Sequence, residues 1–418
     1  MKGNKWLMAG GLSVLMLALC AGIVAIFFFT AQRVATSGLR FRFFEVANVQ
    51  AEADEEQTLE VSLPAVLQVQ NGAGDVTISA GTGSTIVVRA HKTAYGASQA
   101  DAEAALRDIQ VVVEQAGSTV SVRVEQPAEV DIVHIGPGTG VVDLTIEVPA
   151  QTNVNARTEF GKVKGVGLHG DVVLASQAGE VSASELEGGD LSLTSSFGAV
   201  TLENSSGNNV TATSQAGAVS LVRVEADGAV TLNTEFGAVD FEHGRAASLS
   251  ATTSAGRISL RELSVSGALT AESELGEVRL EAVTADSYDL RSNNGNISVD
   301  GARGPVRAQT EFGGVDVTNG EDVTLALDSN NGSITFQGTL GGGPHHLKTE
   351  FGSVRLVLPA TTAVDLDLKT QFGRIRSDLP VTISGAPDEE HWVGQANGGG
   401  ARLTAETNNG DITIETIK

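Results

Sequence analysis

A hydroxyl residue recurs three positions before a glycine along the chain, and such a row could supply nucleophiles. Its members are Thr158, Ser176, Ser195, Ser214, Thr234, Thr253, Ser273, Ser292, Thr310, Ser329, Thr349, Thr370 and Thr407. A hydroxyl becomes a nucleophile when a neighbouring base accepts its proton, and no His or Lys recurs beside this row. By the two-residue period of a strand these side chains point inward, where they can bond to the backbone. We therefore interpret the row as a structural ladder and predict no catalytic residue and no enzyme activity.

The histidine and acidic side chains indicate no metal or cofactor site. The histidines lack the spacing of metal ligands; they are His91, His134, His169, His243, His345, His346 and His391. Two phrases, Asn293 to Asn296 and Asn408 to Asp411, resemble a Ca²⁺-binding nonapeptide, but the repeat here is about 19 residues long. We predict no metal and no cofactor, and Ca²⁺ on stacked acidic side chains is the alternative.

The hydroxyl row belongs to a phrase that repeats every 18 to 21 residues as far as Gly373, and once more at Gly410. The repeated glycines are Gly161, Gly179, Gly198, Gly217, Gly237, Gly256, Gly276, Gly295, Gly313, Gly332, Gly352, Gly373 and Gly410. A fixed period of this length is typical of a solenoid, in which each coil buries its apolar face only against neighbouring coils.

Each repeat has the pattern of β-strands. The residue two positions after each glycine is Val or Ile, as at Val239 and Ile258, and such β-branched side chains suit a pleated surface. Apolar and polar residues then alternate, as in a strand with one buried face. We predict an all-β, single-stranded β-solenoid (β-helix) of about 13 coils of about 19 residues, with two strands and two turns per coil. Whether a coil holds one repeat or two stays open.

The two positions between hydroxyl and glycine carry a pattern of their own. Directly before the glycine, Phe or Leu275 mostly alternates with Ala or Asn. We expect these large and small side chains to interdigitate between layers. One position earlier, no two successive repeats both carry Glu, which keeps carboxylates apart if each repeat forms one coil. In a two-repeat coil, Glu235 and Glu274 would be direct neighbours.

The N-terminus predicts a membrane anchor. Trp6 to Phe29 contains no charge over 24 residues, which is long enough to span a bilayer. A cleaved signal peptide is the alternative, but no good cleavage site follows. Cys20 faintly resembles a lipoprotein processing site. Because a first segment after a short basic tail usually acts as a signal anchor, we expect a single-pass cell-membrane protein with its C-terminal body outside the cytoplasm.

The remaining chain divides by composition and period. Residues 1–30 form the tail and anchor, and residues 31–57 a tether with a basic-aromatic and an acidic part. Residues 58–150 are a strand-rich N-terminal cap, with one short helix at about 98–109 that Ser98 and Asp101 would cap. The solenoid repeats occupy residues 151–373. Residues 374–418 are C-terminal capping coils with a loop at about 385–400.

Several phrases resemble a known family. They are a strand that ends in Val148-Pro149, a final Thr407-Asn408-Asn409-Gly410-Asp411-Ile412, and the tail from Arg374 to Val381 followed by Gly398-Gly399-Gly400. Over about residues 58–418 the chain resembles the bacterial putative-adhesin family of β-strand repeats, domain of unknown function 4097. The resemblance implies a cell-envelope β-solenoid and carries no catalytic motif.

Charge limits the function classes. A formal net charge of -24 excludes a nucleic-acid surface, since phosphate binding needs clustered Lys and Arg. We expect a non-catalytic structural or adhesive module at the cell envelope, held in the membrane through residues 6–29, with a cell-surface protein or polysaccharide as partner. The alternatives are a cytoplasmic-facing, bactofilin-like scaffold and a carbohydrate-active β-helix enzyme; the enzyme would need clustered Asp, Arg or aromatic side chains.

Overall fold

The computed structural model describes residues 49–126, 140–384 and 389–417, and strands dominate all three ranges. The N-terminal elements are β1 (Val49–Glu60), β2 (Ala65–Ala73), β3 (Val76–Gly81), β4 (Thr85–Gly96), α1 (Gln99–Asp108), β5 (Gln110–Ala116), β6 (Thr119–Glu125) and β7 (Gly140–Pro149).

The repeats supply two strands each, which the chain takes in turn. In the first half they are β8 (Thr152–Phe160), β9 (Val163–Val166), β10 (Val172–Ser176), β11 (Val181–Ser184), β12 (Leu191–Ser195), β13 (Val200–Gly207), β14 (Val210–Ser214), β15 (Val219–Ala226), β16 (Ala229–Thr234), β17 (Val239–Ala246), β18 (Ser248–Thr253) and β19 (Ile258–Val265). In the second half they are β20 (Ala268–Ser273), β21 (Val278–Thr284), β22 (Ser287–Ser292), β23 (Ile297–Asp300), β24 (Arg303–Thr310), β25 (Val315–Ser329), β26 (Ile334–Leu340), β27 (His345–Phe351) and β28 (Val354–Leu358). The C-terminal strands are β29 (Val364–Phe372), β30 (Ile375–Ser377), β31 (Val381–Ile383), β32 (His391–Ala396), β33 (Ala401–Asn409) and β34 (Ile412–Thr416).

Successive repeats stack as parallel strands in register, one repeat to a coil. Val219 pairs with Val239, and Val239 pairs with Ile258 in the following coil. This confirms the predicted all-β, solenoid-like fold and removes the two-repeat coil. Within the described residues fourteen layers that each carry a copy of the repeated phrase stack, from layer 1 (β2 and β3) through layer 2 (β8 and β9) to layer 14 (β29 and β30).

Most coils have one more corner than their sequence predicted. The residue six positions after the glycine adopts positive φ in ten coils, where the first strand bends or ends; these residues are Gly167, Glu185, Asn204, Arg223, His243, Glu262, Ala282, Gly301, Asn319 and Gly338. Past the bend the inward alternation resumes, as at the buried Val224. Glycine, asparagine and histidine favour the left-handed region, but Glu185, Arg223, Glu262 and Ala282 do not. The residue type at this position therefore varies too much to mark the corner in the sequence.

The repeated glycine lies where two coils come closest. A Cβ on Gly237 would lie 2.1 Å from the carbonyl oxygen of Gly217 in the layer below, and one on Gly256 would lie 1.8 Å from that of Gly237. Only glycine fits this close backbone approach. The glycines therefore stack on one another and fix the corner that the hydroxyl row and its two following residues occupy.

The N-terminal cap is built differently from its prediction. Residues 65–81 (β2 and β3) pair in parallel with β8 and β9 and are thus the first layer of the stack. On their other side lie β6 and β7, also parallel. Antiparallel strands then close this end: β5 pairs with β6, β4 with β7 and β1 with β4.

Helix α1 confirms the predicted helix at 98–109. The Ser98 side chain caps it by accepting from the Asp101 N–H, as the sequence pattern indicated.

The tether prediction for residues 31–57 is wrong from Val49 onward. Strand β1 starts there and pairs with β4 along its whole length. Its acidic side chains, read as a linker, face basic residues of β4: Glu56 contacts Arg89 at 2.8 Å, and Glu55 contacts the buried Lys92. Opposite charges on paired strands stabilise β1 as an edge strand. Its acidic composition alone does not distinguish such a strand from a linker.

The last repeat does not lie at the end of the stack. Strand β33 lies between β27 and β29, and β34 lies between β28 and β30. The chain therefore leaves layer 12 (β27 and β28), builds layer 14, and returns to fill layer 13 (β33 and β34). The predicted loop at 385–400 is wrong in part, because β32 occupies His391–Ala396 and pairs antiparallel with β29 over the end of the stack.

No helix among the described residues is long and apolar enough to cross a bilayer. The predicted anchor at residues 6–29, Cys20 and the first part of the tether lie outside the described residues.

Candidate interaction surface

The hydroxyl row is a satisfied structural ladder, as its sequence indicated. Thr234 is buried; its Oγ1 donates to the carbonyl of Gly217 in the neighbouring coil at 2.9 Å and accepts from the N–H of Gly237 at 3.1 Å. The same donation to a neighbouring glycine carbonyl recurs from Thr158 to Thr407. Because each hydroxyl donates its hydrogen to a carbonyl of the neighbouring coil, it links adjacent coils.

The large residues directly before the glycines are exposed, so the expected interdigitation of large and small side chains between layers does not bury them. Seven of them are 55% to 73% exposed and together form what we term the apolar column: Phe160, Phe197, Phe236, Leu275, Phe312, Phe351 and Phe372. The two-residue period ends at the hydroxyl residue because the chain turns there. Glu235 and Phe236, for example, are both exposed.

Small residues separate the members of the apolar column in every other layer. These spacer residues are Ala73, Ala178, Ala216, Ala255, Asn294, Asn331 and Asn409. Backbone hydrogen bonds show the stacking directly: Ala216 N–H donates to Ser196, beside Phe197, and Phe236 N–H donates to Gln215, beside Ala216.

The alternation is unbroken only in the spatial order of the layers. Along the sequence Phe351 and Phe372 stand in consecutive repeats, which made the pattern look irregular. In the structure Asn409 pairs with both of them. The inserted last repeat therefore supplies the missing spacer, and all fourteen described layers alternate between small and large.

The apolar column is larger than an ordinary surface patch. A Phe side chain offers about 200 Å² of apolar surface. At the exposed fractions given above, the seven side chains present roughly 800 Å² in one line along the solenoid, whereas the largest patch on a typical monomer covers about 300 to 600 Å². A surface of this kind is typical of a docking site.

Glutamates flank the apolar column in five of the seven layers that carry its large members, the exceptions being Ser196 and Gln371, and neutral residues flank the spacers. Glu235 and Glu274 precede Phe236 and Leu275, while Gln215 and Ser254 precede Ala216 and Ala255. The Gln215 amide lies 3.5 Å from the Glu235 carboxylate. Neutral side chains thus separate the carboxylates by two layers, about 10 Å, where solvent and salt screen their repulsion.

Ser254→Glu tests that spacing. The change places a carboxylate between Glu235 and Glu274, one layer from each, and we expect a loss of about 1 kcal/mol of stability at neutral pH and low salt. Acid or millimolar Ca²⁺ should restore the melting temperature, which differential scanning calorimetry measures. The control is Ser254→Gln, which has the same shape without charge; equal melting temperatures for the two variants would contradict the stacking of these positions.

One recess beside the flanking residues of the column is polar and mixed in charge. This groove of about 350 Å³ on the outer face of the later layers is lined by Arg291, Gln309, Asp328 and Lys348, among others. Groups of three or more metal-ligating side chains do not occur in the described part of the chain.

Among the histidines, which lack the spacing of metal ligands, His345 has a structural role. Its ring is buried, accepts from the Leu325 N–H at 3.3 Å and lies 3.2 Å from the Gly341 carbonyl. Burial lowers the pKa of His345, so the neutral ring, donating to Gly341, fastens the glycine-rich turn before β27.

Comparison with known proteins finds one matching family and two distantly similar solved structures. The family model described as Toastrack DUF4097 matches residues 65–312 and 306–415. A structure from Clostridium sporogenes, described as a putative cell adhesion protein, is 10% identical, covers 88% of this chain and 100% of its own, and has a TM-score of 0.18. One from Bacteroides fragilis, described as a putative adhesin, is 11% identical, covers 87% and 97%, and has a TM-score of 0.22. At these TM-scores neither likeness supports an argument of its own. No curated protein matches the chain.

Proposed function

The chain belongs to the Toastrack DUF4097 family, and we propose that it is a non-catalytic structural or adhesive module of the cell envelope that docks on its partner through the apolar column. The exposed column carries this proposal. Seven large apolar side chains stand at one corner that the hydroxyl ladder holds in place, so their backbone needs no ordering when a partner binds. Exposing them to water is unfavourable, so a surface that keeps them across fourteen layers indicates a bound state.

The anchor at residues 6–29 is part of the proposal. It would hold the solenoid at a membrane with its body outside the cytoplasm, because Lys2 and Lys5 precede the apolar segment. The column favours a protein partner, since Phe side chains beside glutamates offer apolar contact with a polar rim. The acidic chain disfavours nucleic acid.

The bactofilin-like scaffold needs open ends for end-to-end growth. In the described part of the chain, antiparallel strands cover both ends of the stack: β5, β4 and β1 at one end, and β32 at the other. A lateral surface fits this architecture better than an axial one.

Protease treatment of intact cells that express the full chain tests the location. We expect loss of an epitope placed after Lys418 while a cytoplasmic marker survives. Protection of the epitope until the cells are lysed would overturn the extracytoplasmic orientation.

Attachment of the same cells tests the surface. The variant Phe197→Ser, Phe236→Ser, Phe312→Ser should lower attachment of cells to surfaces or to one another at least tenfold, because it removes three central members of the column. The matched control, Leu63→Ser with Val393→Ser, changes exposed apolar residues away from the column and should leave attachment unchanged. Normal attachment of the triple variant, present at normal levels on the cell, would contradict the proposed function.

A further inference from the structure

The parity of the layers assigns a partner to the apolar column. Large side chains occupy the even layers, from Phe160 in layer 2 to Phe372 in layer 14, and spacers occupy the odd layers. We infer that the partner is a second copy of this chain, packed antiparallel along the column about a two-fold axis perpendicular to the solenoid. This inference names the partner of the proposed docking surface and so rests on it.

An antiparallel pair in full overlap matches every layer. The numbers of two facing layers then always sum to fifteen. An even layer of one copy therefore always faces an odd layer of the other. Phe236 of one copy enters the gap at Asn294 of the other, and Leu275 meets Ala255 beside the axis. Gaps between large members are two layers wide, about 10 Å, which admits one Phe ring. The surface is complementary to itself, as an isologous dimer requires.

Charges on the rim follow the same parity. In this pairing Glu235 of one copy lies opposite Asn293 of the other, and Glu311 lies opposite Gln215. Each flanking glutamate, from Glu159 to Glu350, meets a neutral side chain because glutamates stand only in even layers. Amides can donate to the carboxylates that they face. A chain with a net charge of -24 can therefore pair along this corner without opposing carboxylates.

The parallel arrangement lacks these matches. In register, it would set a large side chain against a large one in every even layer and a spacer against a spacer in every odd layer. Shifted by one layer, it would leave end layers unpaired and would not close about a two-fold axis. The apolar area also suits a dimer, since roughly 800 Å² on each copy equals the share of a standard interface.

Sedimentation of the full chain in mild detergent tests the association. We expect a dimer at micromolar concentration, and at least a hundredfold weaker dimerisation for Phe236→Ser with Leu275→Ser, which flank the axis. The control Val393→Ser should dimerise like the unchanged chain. A monomer at every concentration, or a dimer that the column variant leaves intact, would overturn the inference.

Cross-linking tests the orientation. In a Cys20→Ala background, chains with Phe197→Cys (layer 4) and chains with Asn331→Cys (layer 11) are mixed and treated with a short bis-maleimide. We expect covalent dimers in the mixture and none from either variant alone. Dimers from Phe197→Cys alone would indicate parallel packing and contradict the antiparallel pair.

The docking function and the inference of a second copy can be disproved independently of each other. If column variants lose cell attachment while the purified chain stays monomeric, the second copy is wrong and the docking function stands. If they lose dimerisation while attachment is normal, the column pairs copies but the adhesive function is wrong.

Discussion

Val239→Asp is expected to unfold its own coil and the coils on both sides. Val239 is fully buried and pairs with Val219 on one side and Ile258 on the other. The substitution removes a buried apolar side chain and places a carboxylate among apolar ones without a partner, at a cost of about 5 kcal/mol. Because each coil of a solenoid is stabilised by its neighbours, the loss spreads along the stack.

Hydrogen exchange measures this prediction coil by coil. Amides of β15, β17 and β19 should lose protection in Val239→Asp. The control Asp240→Ser changes the next residue, whose side chain points outward and makes a 3.4 Å ion pair with Arg257; it should cost less than about 1 kcal/mol. Equal exchange in the two variants would contradict the inward and outward assignment of the strand.

Gly237→Ala is the second large effect we expect. The added Cβ would lie 2.1 Å from the Gly217 oxygen and 2.5 Å from its carbon. Both atoms are backbone, so the two coils must separate, which weakens the bond from Thr234 to Gly217. Overpacking of this kind costs about 3 kcal/mol, more than the stabilisation of about 1 kcal/mol that alanine provides by lowering the conformational entropy of the unfolded chain.

Chemical denaturation separates this steric effect from the general effect of replacing glycine. In the control Gly342→Ala, the added Cβ meets nothing within 4 Å, and stability should change by less than about 1 kcal/mol. If Gly237→Ala were as stable as Gly342→Ala, the close stacking of glycines would be wrong.

The period and alternation of the sequence predicted the stack well. The β-branched residue after each glycine, the inward hydroxyl and the helix capped by Ser98 all stand as expected, because each depends on local geometry. The strand β1 was missed since its pairing with β4 is non-local, and acidic composition resembled a linker. The extra corner was missed because residues such as Glu262 and Ala282 do not favour positive φ.

The exposure of the apolar column was not predicted, and the reason is physical. A two-residue period that points Thr234 inward would also point Phe236 inward, but a strand period holds only until the chain turns. An outward Glu235 between them fits the same alternation, so the local pattern carried no sign that Phe236 is exposed. The irregular step from Phe351 to Phe372 was a sign that another segment lies between them.

Disulfide formation measures the order of the layers most directly, and the unbroken alternation depends on that order. Two chains carry Phe351→Cys in a Cys20→Ala background, one with Asn409→Cys and the other with Phe372→Cys. Neighbouring layers lie about 4.8 Å apart and alternate layers about 10 Å apart, and a disulfide needs Cα atoms within about 7 Å. Mass spectrometry after mild oxidation should find an intramolecular disulfide in the first chain and none in the second. A disulfide in the second chain and none in the first would place Phe351 and Phe372 in adjacent layers and contradict the continuous alternation on which the docking surface depends.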